Sequence, residues 1–177
     1  MERLRLRNSN IDISRIAFGA EPLGGYEWGD VDVAEAERAV HAALDLGVNL
    51  FDTADCYGHG ESERRLGRAL KGRGGKAVSA RKFGGRFDAS NRAYYDNDPD
   101  YIERAIEASL ERLGTDFIDL YQLHWPDGRT PLEAVFDRLD RLRAQGKIRC
   151  YGVTNVTPEE LHPHLGLRRA RGGPVHQ

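Results

Sequence analysis

Strand-like and helix-like segments alternate five times along this chain, joined by connections of only a few residues. That alternation limits the architecture more than any single residue does. Short apolar runs separated by amphipathic helices imply parallel strands linked by crossover helices. Right-handed crossovers build such units into an open doubly wound sheet or a barrel.

The pattern begins with residues 3–6 and 11–13, which alternate polar and apolar about an Asn8-Ser9 turn and predict a β-hairpin. Ile16-Ala17-Phe18 is a brief apolar run ending in Gly19, followed by a loop rich in glycine and aromatics through Trp28. Residues 32–46 predict a helix, with Val33, Ala36, Val40, Ala43 and Leu44 on one face and Glu35, Glu37, Arg38 and Asp45 on the other. Gly47 stops it before a short strand over 48–51 that ends at Asp52. Residues 61–70 predict a second helix and 76–82 a second strand. Asp98-Pro99, Thr130-Pro131 and Thr157-Pro158 each place a capping side chain before a proline suited to the first helical turn. Glu133 and Glu160 complete capping boxes in the last two. Residues 117–123 and 148–153 read as buried strands, and 174–177 as one more beginning.

No Gly-rich dinucleotide fingerprint opens the first helix, which argues against the doubly wound alternative. The expected fold class is therefore α/β, a parallel (β/α) barrel of TIM type with an N-terminal β-hairpin. A complete barrel needs ~250 residues. The 177 residues here accommodate about five to six units, so a single incomplete barrel domain over 1–177 is expected. Its two sheet edges would be open to self-association.

Catalytic groups of such barrels stand at the C-terminal ends of the strands. Read that way, Asp52, Tyr57, Lys82, His124 and Thr154-Asn155 converge on one mouth although far apart in sequence. A carboxylate, a phenol, an ammonium and an imidazole suit carbonyl reduction. Hydride addition leaves an alkoxide that needs a positioned proton donor. An ammonium near the phenol would lower its pKa, and an imidazole can hydrogen-bond the carbonyl oxygen.

The same residues carry a family resemblance. Phe51-Asp52-Thr53-Ala54-Asp55-Cys56-Tyr57-Gly58, with Gly60-Glu61-Ser62-Glu63 and Leu66-Gly67, resembles the active-site loop and following helix of the aldo-keto reductases. Lys82-Phe83-Gly84 resembles their lysine motif, and residues 116–126, through Gln122-Leu123-His124-Trp125-Pro126, their histidine strand. Gly146-Lys147-Ile148-Arg149 leading to Gly152-Val153-Thr154-Asn155 resembles the segment that reaches the nicotinamide. Gly19-Ala20-Glu21-Pro22-Leu23-Gly24-Gly25 resembles the bacterial-type branch that includes the potassium-channel β-subunits, with Ala20 where many members carry a hydroxyl residue.

The resemblance implies an NADPH-dependent reduction of small aldehydes or ketones. Tyr57 would donate the proton, Lys82 tune it, Asp52 pair with Lys82, and His124 orient the carbonyl. Gly19, Ala20, Asp52, Thr154, Asn155 and Gln177 would line the cofactor site, while Tyr26, Trp28 and Trp125 would wall the substrate pocket. The family's contacts to the pyrophosphate and adenine lie in later units that are not part of these residues. A catalytically silent piece, or a regulatory subunit like the channel-β proteins, stands as the alternative. An isomerase on the same barrel would have no need of the Tyr57-Lys82 pairing.

Composition excludes some classes. A formal charge of −2 with mixed signs gives no basic stripe for nucleic acid. No stretch approaches the ~20 apolar residues of a membrane span, and the N-terminus has no apolar signal core, so a cytoplasmic location is the expectation. Cys56 and Cys150 are not spaced as a metal clip or a redox pair, so both are expected to be free thiols and no metal is expected.

Overall fold

The computed structural model describes residues 1–163 except Asn8, Glu27, Gly74 and Lys76. The hairpin expected at the N-terminus forms from β1 (Arg3–Arg5) and β2 (Asp12–Ser14), paired antiparallel. Behind it β3 (Ala17–Gly19), β4 (Leu50–Ala54), β5 (Val78–Phe83), β8 (Ile118–Leu123) and β9 (Ile148–Val153) make one parallel sheet in that order. The crossovers are α1 (Val33–Asp45), α2 (Glu61–Leu70), α3 (Pro99–Leu113) and α4 (Leu132–Ala144). This is a run of (β/α) units, as the alternation requires.

The helix starts follow local chemistry with one exception. Asp32 caps α1 by accepting from the Glu35 amide, and Asp98 caps α3 by accepting from the Asp100 and Tyr101 amides. Thr157 and Glu160 form the expected capping box, each side chain bonding the other's backbone amide. At α4 the expected Thr130 cap is not made. The Thr130 hydroxyl donates to Asp127 Oδ2 and its amide to Asp127 Oδ1, so the preceding loop has taken the threonine. Val33, expected on the inner face of α1, is 41% exposed because it sits on the helix's first, outermost turn.

Two faces of the sheet are covered differently. Phe83, Tyr121, Leu123 and Tyr151 pack against Ile102 and Ile106 of α3 and Phe136 and Leu139 of α4. The hairpin side chains Leu6, Ile11 and Ile13 pack against Leu50, Val78, Leu120 and Cys150, so the hairpin plugs the end where the strands begin. Asn49 pins that plug: its Oδ1 accepts from the Ser14 amide at 2.6 Å and its Nδ2 donates to the Asp12 carbonyl at 2.8 Å. The opposite end, where the strands finish, is left for the loops.

An unforeseen hairpin enters at that end, β6 (Gly85–Phe87) with β7 (Ala93–Tyr95). Its turn is organised by Asp88, whose carboxylate accepts from the amides of Ser90 and Arg92 and from the Arg92 guanidinium. Among the described residues no helix is long and apolar enough to cross a membrane.

Candidate active site

Sheet register brings the ammonium and the carboxylate together. Lys82 is level with Ala54 on the neighbouring strand, and Asp52 lies two residues back on the same face. Asp52 thus sits inside β4 rather than at its end, since the strand continues to Ala54. Lys82 Nζ donates to Asp52 Oδ2 at 2.5 Å. The lysine is 9% exposed, so the pair is shielded on the lysine side.

Tyr57 reaches this pair from a tight 3-10 turn, Tyr57–Gly60, between β4 and α2. The turn is held by close backbone packing. A Cβ on Gly24 would lie 2.8 Å from the Gly58 nitrogen and 2.9 Å from the Tyr57 carbonyl carbon, so no side chain fits there. Gly58 also adopts a φ of +58°, where a side chain is strained. Lys82 Nζ stands 5.2 Å from the centroid of the Tyr57 ring. The imidazole of His124, just beyond β8, meets that ring edge-on with centroids 5.8 Å apart.

The electrostatics correct one expectation. The motif implies that Lys82 lowers the Tyr57 pKa, but burial pushes the phenol well above its usual range, and the carboxylates of Glu21 and Asp52 push it further. The lysine's charge is engaged by Asp52 and it makes no hydrogen bond to the phenol hydroxyl. Tyr57 therefore holds its proton firmly. His124 is shifted the other way, down to about 4, first by burial and then by the nearby Lys82 charge, with Asp52 opposing. At neutral pH the site holds an uncharged imidazole beside a protonated phenol.

The remaining expected residues are placed as follows. Gly19 is exposed at the end of β3, whereas Ala20 has no accessible surface. The Ala20 amide donates to the Asp52 carbonyl and its own carbonyl accepts from the Ser62 hydroxyl. That burial removes Ala20 from direct contact with any ligand and makes it a packing residue beside Leu23 and Phe51. The Thr154 hydroxyl lies within hydrogen-bond reach of the Leu123 and His124 carbonyls, and Asn155 Nδ2 donates to the same His124 carbonyl at 2.8 Å. Asn155 takes a φ of +57° and is exposed, with its Oδ1 unpartnered among the described residues. Gln177 lies outside the described residues.

Of the expected pocket walls, Tyr26 packs edge-on against His59 at 5.3 Å and Phe87 at 5.5 Å. Trp125 stacks on Tyr95 at 5.8 Å. Trp28 is 58% exposed and makes no ring contact among the described residues, so it does not join either group. The His59 ring also packs against Phe87, tilted by 42° with centroids 4.2 Å apart. The hairpin β6–β7 supplies Phe87 and Tyr95. Its signal was available in Gly84-Gly85 and the Asp88 to Asn91 turn, but two three-residue strands carry little periodicity.

A protein-family model described as the aldo/keto reductase family matches residues 15–165. The chain belongs to the aldo/keto reductase family. Among its relatives, an aldo-keto reductase, yakc [NADP(+)], of Schizosaccharomyces pombe is 39% identical over 157 residues, covering 86% of this chain and 45% of that protein. The NADH-specific methylglyoxal reductase of Escherichia coli is 33% identical over 180 residues, covering 93% of this chain and 55% of that protein. The solved structure of the glycerol dehydrogenase AKR11B4 from Gluconobacter oxydans superposes with a TM-score of 0.83 at 40% identity, over 90% of this chain and 50% of that one. The chain spans about half the length of the curated relatives it matches. Among the described residues, the N-terminal hairpin and five parallel strands of that barrel are present.

Proposed function

We propose that this aldo/keto reductase chain carries the proton-donating site of a nicotinamide-dependent reduction of small aldehydes or ketones, with NADPH as the cofactor. The observation that carries the reading is the convergence of the Asp52–Lys82 ion pair, the Tyr57 phenol and the His124 imidazole in and just beyond the last residues of three adjacent strands. A structural ion pair alone has no need of a phenol and an imidazole facing each other beside it.

Each side chain has a distinct task. His124, uncharged at neutral pH, donates a hydrogen bond to the carbonyl oxygen and draws electron density from its carbon. Tyr57 then gives its proton to the developing alkoxide. An alkoxide is a stronger base than a phenolate, so the firmly held phenol proton still moves downhill. Lys82 stands ready beside the phenolate that results, and Asp52 keeps the lysine in place between turnovers. The aromatic groups around Tyr26 and Trp125 limit water at the mouth.

A nicotinamide dinucleotide supplies the hydride when bound. The exposed Gly19 and the free Asn155 Oδ1 fit such a group, because a carboxamide N–H needs an acceptor at the strand ends. Thr154 and Gln177 are the further residues proposed for it. The choice of NADPH follows the family resemblance, and the relatives' names include one NADP(+) and one NADH protein. The test is a fluorescence titration with NADPH and with NADH, followed by aldehyde reduction in wild type and Tyr57→Phe. Tyr57→Phe should bind cofactor unchanged and lose roughly 10²- to 10⁴-fold in turnover, the usual worth of a positioned acid. Equal turnover in the variant would refute the assignment. Saturation by NADH alone would reverse the cofactor choice.

A further inference from the structure

Cys56 lies between Asp55 and Tyr57, and the reductase chemistry above gives it no task. Its sulfur is nonetheless held in a defined place. Sγ lies 3.8 Å from His124 Nδ1, within reach of a sulfur hydrogen bond. On the other side the β6 backbone presses against it, since a Cβ on Gly85 would stand 2.6 Å from Sγ and 2.8 Å from the Cys56 Cβ. The thiol is therefore clamped between the Gly85 backbone and the imidazole.

We propose that Cys56 is a positioning residue that sets the tautomer of His124: the thiol S–H donates to Nδ1 and leaves the imidazole proton on Nε2. Of the two ring nitrogens, the one that carries the proton is fixed by the bond that the other makes. Nδ1 has this one partner, and Nε2 has none among the described residues. An Nε2–H is what a carbonyl oxygen needs from His124, so the inference rests on the proposed reduction for its purpose but not for its geometry.

The direction of the bond follows from the two groups. Burial, with the Asp55 carboxylate adding to it, pushes the thiol up to about 12, so sulfur keeps its hydrogen at neutral pH and acts as a donor. The imidazole is uncharged there, so Nδ1 is able to accept. The other groups near the ring are the Tyr57 ring, the Lys82 ammonium and the Asp52 carboxylate, and none hydrogen-bonds either ring nitrogen. The bonds from Thr154 and Asn155 go to the His124 backbone carbonyl and hold the residue's main chain, not its ring.

The experiment is two-bond proton–nitrogen correlation NMR on the full 177-residue chain labelled at its imidazoles, at pH 7, with His124→Gln identifying the signal. His124 should show an unprotonated Nδ1 and a protonated Nε2. Cys56→Ala should lower that preference by about fivefold, the ratio one neutral hydrogen bond sustains, while Cys56→Ser keeps it. Gly85→Ala, which forces the sulfur aside, should act like Cys56→Ala. A protonated Nδ1 in the wild type would overturn the proposal, as would an unchanged tautomer in folded Cys56→Ala. If Cys56→Ala does not fold, the Cys56→Ser and Gly85→Ala spectra decide by the same criterion. Because the readout needs no turnover, a correct tautomer in a chain without carbonyl reductase activity would sink the functional reading alone.

Discussion

Glu63 on α2 is buried completely, behind the strand that presents Lys82, and removing it should be among the most damaging single changes available. Its Oε1 accepts from Arg81 Nη1 at 3.3 Å and its Oε2 from Arg112 Nε. Arg81 also has no accessible surface, and its Nε and Nη2 are buried without partners. Burial lowers the Arg81 pKa only to about 10, so at pH 7 the guanidinium remains charged and Glu63 is its counter-ion. Glu63→Ala leaves that charge in an apolar interior, a change worth about 3–5 kcal/mol when a buried pair loses one member. Arg112 is partly exposed and water screens its loss, so it adds little. Against a total stability of roughly 5–15 kcal/mol this is at least about a fifth. Urea unfolding followed by far-ultraviolet circular dichroism should show the midpoint falling by about 2 M, taking a slope of about 2 kcal/mol/M. Glu63→Leu with Arg81→Met removes both charges and should recover most of the loss, because a packed apolar pair needs no counter-ion. A Glu63→Ala midpoint within about 0.5 M of wild type, or a double variant as unstable as the single, would refute the reasoning.

Three other outcomes are expected. The buried Asp55 carboxyl is pushed up to about 7, chiefly by burial and then by Glu63, against an unfolded value near 4, so the native state holds a proton that the unfolded chain has lost. Stability due to this group therefore falls as pH rises from about 4 to 7, and Asp55→Asn should gain on the order of 2 kcal/mol at pH 8, measured by urea titration across pH. His124 works in the opposite sense: its value of about 4 lies below the unfolded one near 6.5, so stability is lost as pH falls through that window. His124→Gln should flatten that acid limb. Gly24→Ala, which drives a methyl into the Tyr57-Gly58 backbone, should cost about 1–3 kcal/mol and lower turnover more than cofactor affinity, as thermal melts and steady-state kinetics would show.

Much of this protein is legible in its residue order, for local reasons. The helix periodicity of residues 61–70, the Asp98-Pro99 start and the apolar runs that form β8 and β9 each depend on neighbours close in sequence. The alternation of these elements then restricts the topology. The Asp52, Tyr57, Lys82 and His124 set is likewise readable, because strand ends in a barrel share one mouth.

Other features depend on contacts that no local pattern carries. One exception is local: Thr130 loses its capping role to Asp127, three residues earlier. The direction of the Tyr57 shift is decided by burial and by Glu21, not by the lysine that the motif emphasises. Ala20 is buried where Ser62, 42 residues on, reaches back to its carbonyl. Residue identity and spacing thus determined the elements, their order and the chemical groups at the mouth. Desolvation and long-range hydrogen bonding, which exist only once the chain has closed on itself, decided which of those groups hold protons and which nitrogen of His124 meets Cys56.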